Sequence, residues 1–144
     1  IDHLSFDAIK SYFDFSDDEI KLIYDYVGGS IAHIQKIIRR IELNQGNLEE
    51  VLNQLLKEAV AEVNFSLIEL LKKGILNKEK VKEVFNSIVY NNFYDYTKTD
   101  LKTIPIIEFL CEKEILFFEI MDNYIYANSR IYQKAIIDIL KEIK

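Results

Sequence analysis

Residues 26 to 38 read YVGGSIAHIQKII, and they hold two of the chain's four glycines side by side, with Ser30 and Ile31 next in line. Glycine takes left-handed dihedrals at little cost, so Gly28-Gly29 can end one helix and turn the chain into the next. A missing Cβ also lets another group approach the backbone closely, so the same pair can admit a ligand or a neighbouring domain. Residue chemistry alone allows both. The other reactive side chains are scattered. His3 and His33 are the only histidines and stand too far apart in sequence to suggest a metal site by spacing. Cys111 follows Leu110 in an apolar stretch and reads as a buried structural thiol. Asp17, Asp18 and Glu19 are adjacent, and adjacent helical residues point in different directions, so they make no paired-carboxylate site. The sequence holds no phosphate loop of the G-x-x-x-x-G-K-[ST] kind, no G-x-S-x-G elbow and no H-E-x-x-H. No catalytic residue and no metal site is expected. The chain is not expected to be an enzyme by itself.

The elements that must position the glycine junction are helices. Ser5 precedes Phe6, Ile9 and Phe13 at helical spacing. SDDE at 16 to 19 has the form of a capping box, and its helix carries Ile20, Ile23, Tyr24 and Val27 inward before Gly28. Ser30 stands as the cap of a third helix with Ile31, Ile34, Ile37, Ile38 and Ile41 on one face. Asn47, with Glu50 three residues on, starts a fourth through Leu48, Val51, Leu52, Leu55, Leu56, Ala59, Val60 and Val63, and the pattern can run past Phe65 to Leu71 before Gly74. Asn77 caps a helix with Val81, Val84, Phe85 and Ile88. Residues 90 to 100, YNNFYDYTKTD, read as a loop anchored by inward-packing rings. Pro105 sits just inside the next helix start, which continues through Ile106, Ile107, Phe109 and Leu110. ILFFEI (115–120), MDN (121–123) and YIYA (124–127) read as a strand, a turn and a returning strand. Ser129 then caps a last helix with Ile131, Tyr132, Ala135, Ile136, Ile139 and Leu140. The expected fold is mainly α: a helical bundle over 1–64, then over 65–144 the helix–hairpin–helix layout of a winged-helix domain with one short β-hairpin.

Composition bounds the rest. The chain has 144 residues and is 49% hydrophobic, enough for a real core. No apolar run approaches the roughly 18 residues of a membrane helix, so no membrane partner is expected. A single cysteine rules out an internal disulfide framework and fits a reducing compartment, the cytoplasm. The chain opens on Ile rather than Met, as a piece of a longer protein would. Net charge is −6, and residues 1 to 26 carry seven acidic side chains against Lys10 and Lys21. Nucleic-acid binders need a basic stripe. The clusters Arg39-Arg40, Lys72-Lys73 and Lys78-Lys80-Lys82 are small, and the helix from Ile104 to Glu114 carries Glu108, Glu112 and Glu114 against Lys113. Nucleic acid is therefore not the expected partner. A protein partner that meets the acidic N-terminal part is.

Two runs carry a family resemblance. EIKLIYDYVGGSIAHIQKIIRRI resembles the lid segment of the archaeal P-loop ATPases related to the AAA+ and STAND classes, where a helix ends in a VGG-x-P signature and a second helix follows. IIEFLCEKEILFFEIMDNYIYANSRIYQKAI is similar to the winged-helix end of the same proteins, with a pattern like L-x-x-x-x-I-L-F, a short wing, then S-x-L-Y-x-x-A-I. The matching positions here are Leu110, Ile115, Leu116 and Phe117, then Ser129, Ile131, Tyr132, Ala135 and Ile136. The two runs fall in the family's order. By that resemblance the junction Gly28, Gly29, Ser30 and Ile31 faces a nucleotide held by an upstream ATPase domain, which would bring ATP and Mg; no cofactor belongs to this chain itself. Ile31 departs from the pattern, since the family has a proline or an arginine there, which leaves open whether Ile31 packs on an adenine or in the lid core. The resemblance implies a non-catalytic piece that regulates nucleotide-dependent closure and docks a partner. A free-standing protein-interaction module and a winged-helix DNA reader are the alternatives.

Overall fold

Side-chain caps fix where the early helices begin. Ser5 accepts a hydrogen bond from the Ala8 N–H and starts α1 (Phe6–Tyr12). The capping box is complete: the Glu19 N–H donates to Ser16 Oγ at 3.2 Å and the Ser16 N–H donates to Glu19 Oε1 at 2.8 Å, ahead of α2 (Asp17–Val27). Such a cap is worth about 1 kcal/mol to its helix. After α3 (Ile31–Glu42), Asn47 and Glu50 reciprocate in the same way and α4 (Leu48–Lys72) follows. Asn77 accepts from the Lys80 N–H at the head of α5 (Lys78–Asn91). The computed structural model describes residues 5–143; His3 and the side chain of Phe6 lie outside the described residues. Within them the chain is mainly helical, with seven α-helices and one small three-stranded antiparallel sheet.

The chain forms two compact units, and α4 runs unbroken from one into the other. The first holds the described residues up to Glu58 together with Ser129–Ile131. Here α1 packs on α2 and α2 on α3. Ile9, Ile20, Ile23, Val27, Ile34 and Ile37 are wholly buried, as are Val51 and Leu52 from the first turns of α4. Tyr24, expected inward, is 41% exposed, because α2 already fills its inner face with two isoleucines and a valine and the phenol can stay wet.

The second unit runs from Ala59 to Asn128 and takes in the described residues from Tyr132 onward. Its sheet is built from β1 (Tyr94–Asp95), β2 (Leu116–Glu119) and β3 (Tyr124–Ala127), in the order β1-β3-β2. The hairpin pairs Leu116 with Ala127 through Glu119 with Tyr124. α6 (Ile104–Glu112) precedes it and α7 (Arg130–Glu142) follows. The core gathers Val81, Val84, Phe85 and Ile88 from α5, Ile106, Ile107 and Leu110 from α6, and Ala135, Ile136 and Ile139 from α7.

Three local expectations are corrected. Residues 90 to 100 are more than a loop: Tyr90 and Asn91 finish α5, Tyr94–Asp95 add a third strand to β3, and Tyr96–Lys98 form a 3-10 turn. Only Tyr94 of their rings is buried, while Phe93 and Tyr96 are half-buried and Tyr90 is 79% exposed. Ser30 makes no capping bond because its hydroxyl is taken by His33 Nδ1 at 2.8 Å. Ser129 Oγ is buried with no hydrogen-bond partner, so it caps nothing.

Asp100 prepares the start of α6. Its Oδ1 accepts from the Thr103 N–H at 2.9 Å and from Thr103 Oγ1 at 2.7 Å, and its Oδ2 lies 2.6 Å from Lys80 Nζ. The Lys80 ammonium, and then Thr103, hold this carboxyl well below the usual carboxylate range. A folded-state pKa below the unfolded one stabilises the fold above about pH 4 and is lost as pH falls. Asp100→Asn should therefore lower the urea midpoint at pH 7 and flatten the midpoint's decline as pH falls below about 4. An acid limb identical to the parent's would contradict the assignment.

Candidate functional site: the glycine junction

α2 ends where its ladder is handed to glycine. The Gly28 N–H donates to the Tyr24 carbonyl at 2.9 Å. Gly28 then takes φ 63°, ψ −144°, a region open in practice only to glycine. Gly29 is buried and is not in the positive-φ range. Of the two glycines it is Gly28 that supplies the dihedrals of the turn. Ser30 is extended, and half-buried Ile31 opens α3. The first turn of α3 has no acidic residue and no side-chain cap from Ser30, which leaves the positive end of the helix dipole without a negative side chain.

One residue at the junction was not foreseen. Arg130, the first residue of α7, comes so close that a Cβ on Gly28 would lie 3.3 Å from the Arg130 Cβ. Its Nε donates to the Asp25 carbonyl at 3.4 Å, and its terminal nitrogen lies 3.8 Å from Asp25 Oδ1. The guanidinium side chain remains 53% exposed. Gly28, Gly29, Ser30 and Ile31 are neighbours by chain connectivity; Arg130 is brought to them by the fold. No local spacing signals a contact between residues so far apart in sequence.

The residues of the second resemblance run are largely packing residues. Leu110, Ile115, Leu116, Ile131, Ala135 and Ile136 are buried. Tyr132 donates its hydroxyl to Glu62 Oε2 at 2.6 Å, and burial followed by that carboxylate pushes the phenol well above its ordinary range. On α6, Glu108 and Glu112 are exposed, while Lys73 and Lys113 hold their ammonium groups 5.2 and 5.3 Å from the centre of the Phe109 ring. The second unit also carries an apolar groove of about 410 Å³, lined by Leu67, Ile68, Leu71, Leu76, Val81 and Ile139 among others. Phe65 and Leu71 on α4 are 68% and 63% exposed.

Cys111 is half-buried, and burial, helped by the charge of Glu108, pushes its thiol up to about 11. Since the thiolate is the reactive form, alkylation at pH 7 should run about a hundredfold slower in the folded chain than in denaturant. Equal rates would show that the thiol is open to solvent. Among the described residues there is no group of three or more His, Cys, Asp or Glu that could hold a metal ion, and no helix long and apolar enough to cross a membrane.

With this geometry in place, comparison with known proteins gives a consistent answer. No family model matches the chain, and no solved structure matches it either. Several curated relatives do, and the first are uncharacterized ATP-binding proteins of the archaeon Methanocaldococcus jannaschii. One is 29% identical over 133 residues, 87% of this chain and 35% of the relative. A second is 32% identical over 128 residues, 84% of this chain and 32% of the relative. A third is 32% identical over 130 residues, 87% of this chain and 33% of the relative. The chain spans about a third of the length of the curated relatives it matches.

Proposed function

We propose that the chain is an accessory, non-catalytic part of an archaeal ATP-binding protein. Its first helices serve as a lid over nucleotide held by a P-loop domain, and its helix–hairpin–helix region is a winged-helix module that docks a partner. The observation that carries this reading is the glycine junction with its arginine. The uncapped start of α3 and the half-exposed guanidinium of Arg130, which packs against Gly28, give one small surface that favours phosphate oxygens. Ile31 offers an apolar side chain beside them for a nucleobase. That most of the chain aligns with proteins named for ATP binding supports the ligand class.

Nothing in this arrangement supplies a phosphate-cradling loop, so nucleotide chemistry belongs to the remainder of such a protein. The purified 144-residue chain should turn over no ATP in the presence of Mg. A magnesium-dependent turnover that follows the chain through purification would overturn the accessory role. The apolar groove, with exposed Ile68 and Leu71 in its lining, favours a second reading, a protein-interaction module that takes an apolar helix or strand in that groove. DNA reading by α6 is the weakest of the three, because the exposed side of that helix carries Glu108 and Glu112 and would meet phosphates with the wrong sign.

A further inference from the structure

The sheet of the second unit has one side turned to the core. Tyr94, Leu116 and Ile125 are buried, and the strand register puts Tyr94 opposite Ile125. Side chains alternate along a strand, so Asp95, Phe117, Glu119, Tyr124 and Tyr126 project from the opposite side, and none of them is buried. Phe93 joins them with its ring stacked on Tyr124 at 4.0 Å and tilted against Tyr126 at 6.5 Å. Tyr124 and Tyr126 meet edge-on at 6.3 Å. Four half-buried rings thus share one small sheet face. Asp95 and Glu119 stand on the same face, Asp122 lies in the turn beyond, and the nearby cation that reaches Asp95 is Lys98. At the same end Ile120 and Met121 are 75% and 87% exposed.

Asp95 Oδ1 accepts from the Thr97 N–H and Oγ1, and Glu119 Oε1 accepts from the Met121 N–H, which holds both carboxylates beside the rings. Aromatic faces flanked by negative charge complement a planar cation, because the ring faces are negative and the carboxylates can pair with two parallel N–H groups. We propose that this face docks a polypeptide segment through arginine, with the guanidinium stacked on the Tyr126 ring and paired with Glu119. Arginine is favoured over lysine because only a planar fork can stack and pair at once. Unstacked nucleic-acid bases could use the same rings, but their phosphates would face Asp95, Glu119 and Asp122.

The test is an amide NMR titration of the full chain with an octapeptide alternating Arg and Gly, its Lys/Gly counterpart, and an oligothymidylate. The expected result is shifts centred on Phe93, Glu119, Tyr124 and Tyr126, with the arginine peptide binding at least about fivefold tighter than the lysine peptide. Tyr126→Ser and, separately, Glu119→Gln should each weaken the arginine peptide about fivefold, while Asp18→Asn on the first turn of α2 leaves it unchanged. Equal affinity for the two peptides, shifts centred on the acidic residues 14–25, tighter binding of the oligothymidylate, or no shift at millimolar peptide would each overturn the proposal. The Glu119→Gln variant keeps the result readable if Tyr126→Ser fails to fold.

Discussion

Phe85→Ala should destabilise the second unit by about 3–5 kcal/mol, the usual cost of emptying a fully buried phenylalanine site. Among the described residues Phe85 heads the largest wholly buried side chains, and Val81, Val84 and Ile88 share its face of α5. Packed interiors relax only partly around a deleted ring, so the loss combines transfer free energy with a cavity term. In a domain of this size each kilocalorie shifts the melting temperature by roughly 2–5 °C, so a fall of about 10 °C or more is expected. Phe65→Ala is the matched control. That ring is 68% exposed on α4, and its removal should stay within about 0.5 kcal/mol of the parent. A urea melt of both variants decides the matter. Equal midpoints would mean that Phe85 is not the centre of the unit's packing.

Gly28→Val comes next in size. The dihedrals at Gly28 are strained for any residue with a Cβ, and the added atom would press on the Arg130 Cβ at 3.3 Å. Backbone strain of this kind costs about 1–3 kcal/mol, and valine's branched side chain puts the expected loss near the top of that range. Gly74 gives the internal comparison. It also has positive φ, at 75°, but a Cβ there would meet nothing within 4 Å. Gly74→Ala should cost about 1 kcal/mol, and Gly28→Ala clearly more. If the two alanine variants melt together, contact with Arg130 contributes nothing and the dihedral term alone is being read.

The pattern of what the sequence disclosed has physical causes. Helix starts at Ser5, Ser16, Asn47 and Asn77 were legible because a cap and its bonded amide lie three residues apart. Ser30 and Ser129 carry the same side chain at similar positions, yet one bonds a histidine and the other is buried unpaired. A hydroxyl's choice of partner depends on what the fold brings near it. The hairpin was legible to within a residue because aromatic and β-branched runs flank Asp122 and Asn123. β1 was not, since two residues are too few to show a period and Tyr94 and Asp95 become a strand only by pairing with β3. At the junction the same division holds. Gly28 and Gly29 stood out by composition, whereas Arg130 reaches them from the far end of the sequence.

The accessory-lid account is tested most directly by the ATP dissociation constant of this segment joined to the P-loop domain that the account proposes, measured for the parent and for Arg130→Ala. Losing one charge-assisted contact to phosphate at a partly exposed site should weaken ATP about tenfold, with the fold intact by circular dichroism and with no nucleotide bound by the 144-residue chain alone. An unchanged dissociation constant in a folded Arg130→Ala variant would remove the glycine junction from the nucleotide and contradict the account.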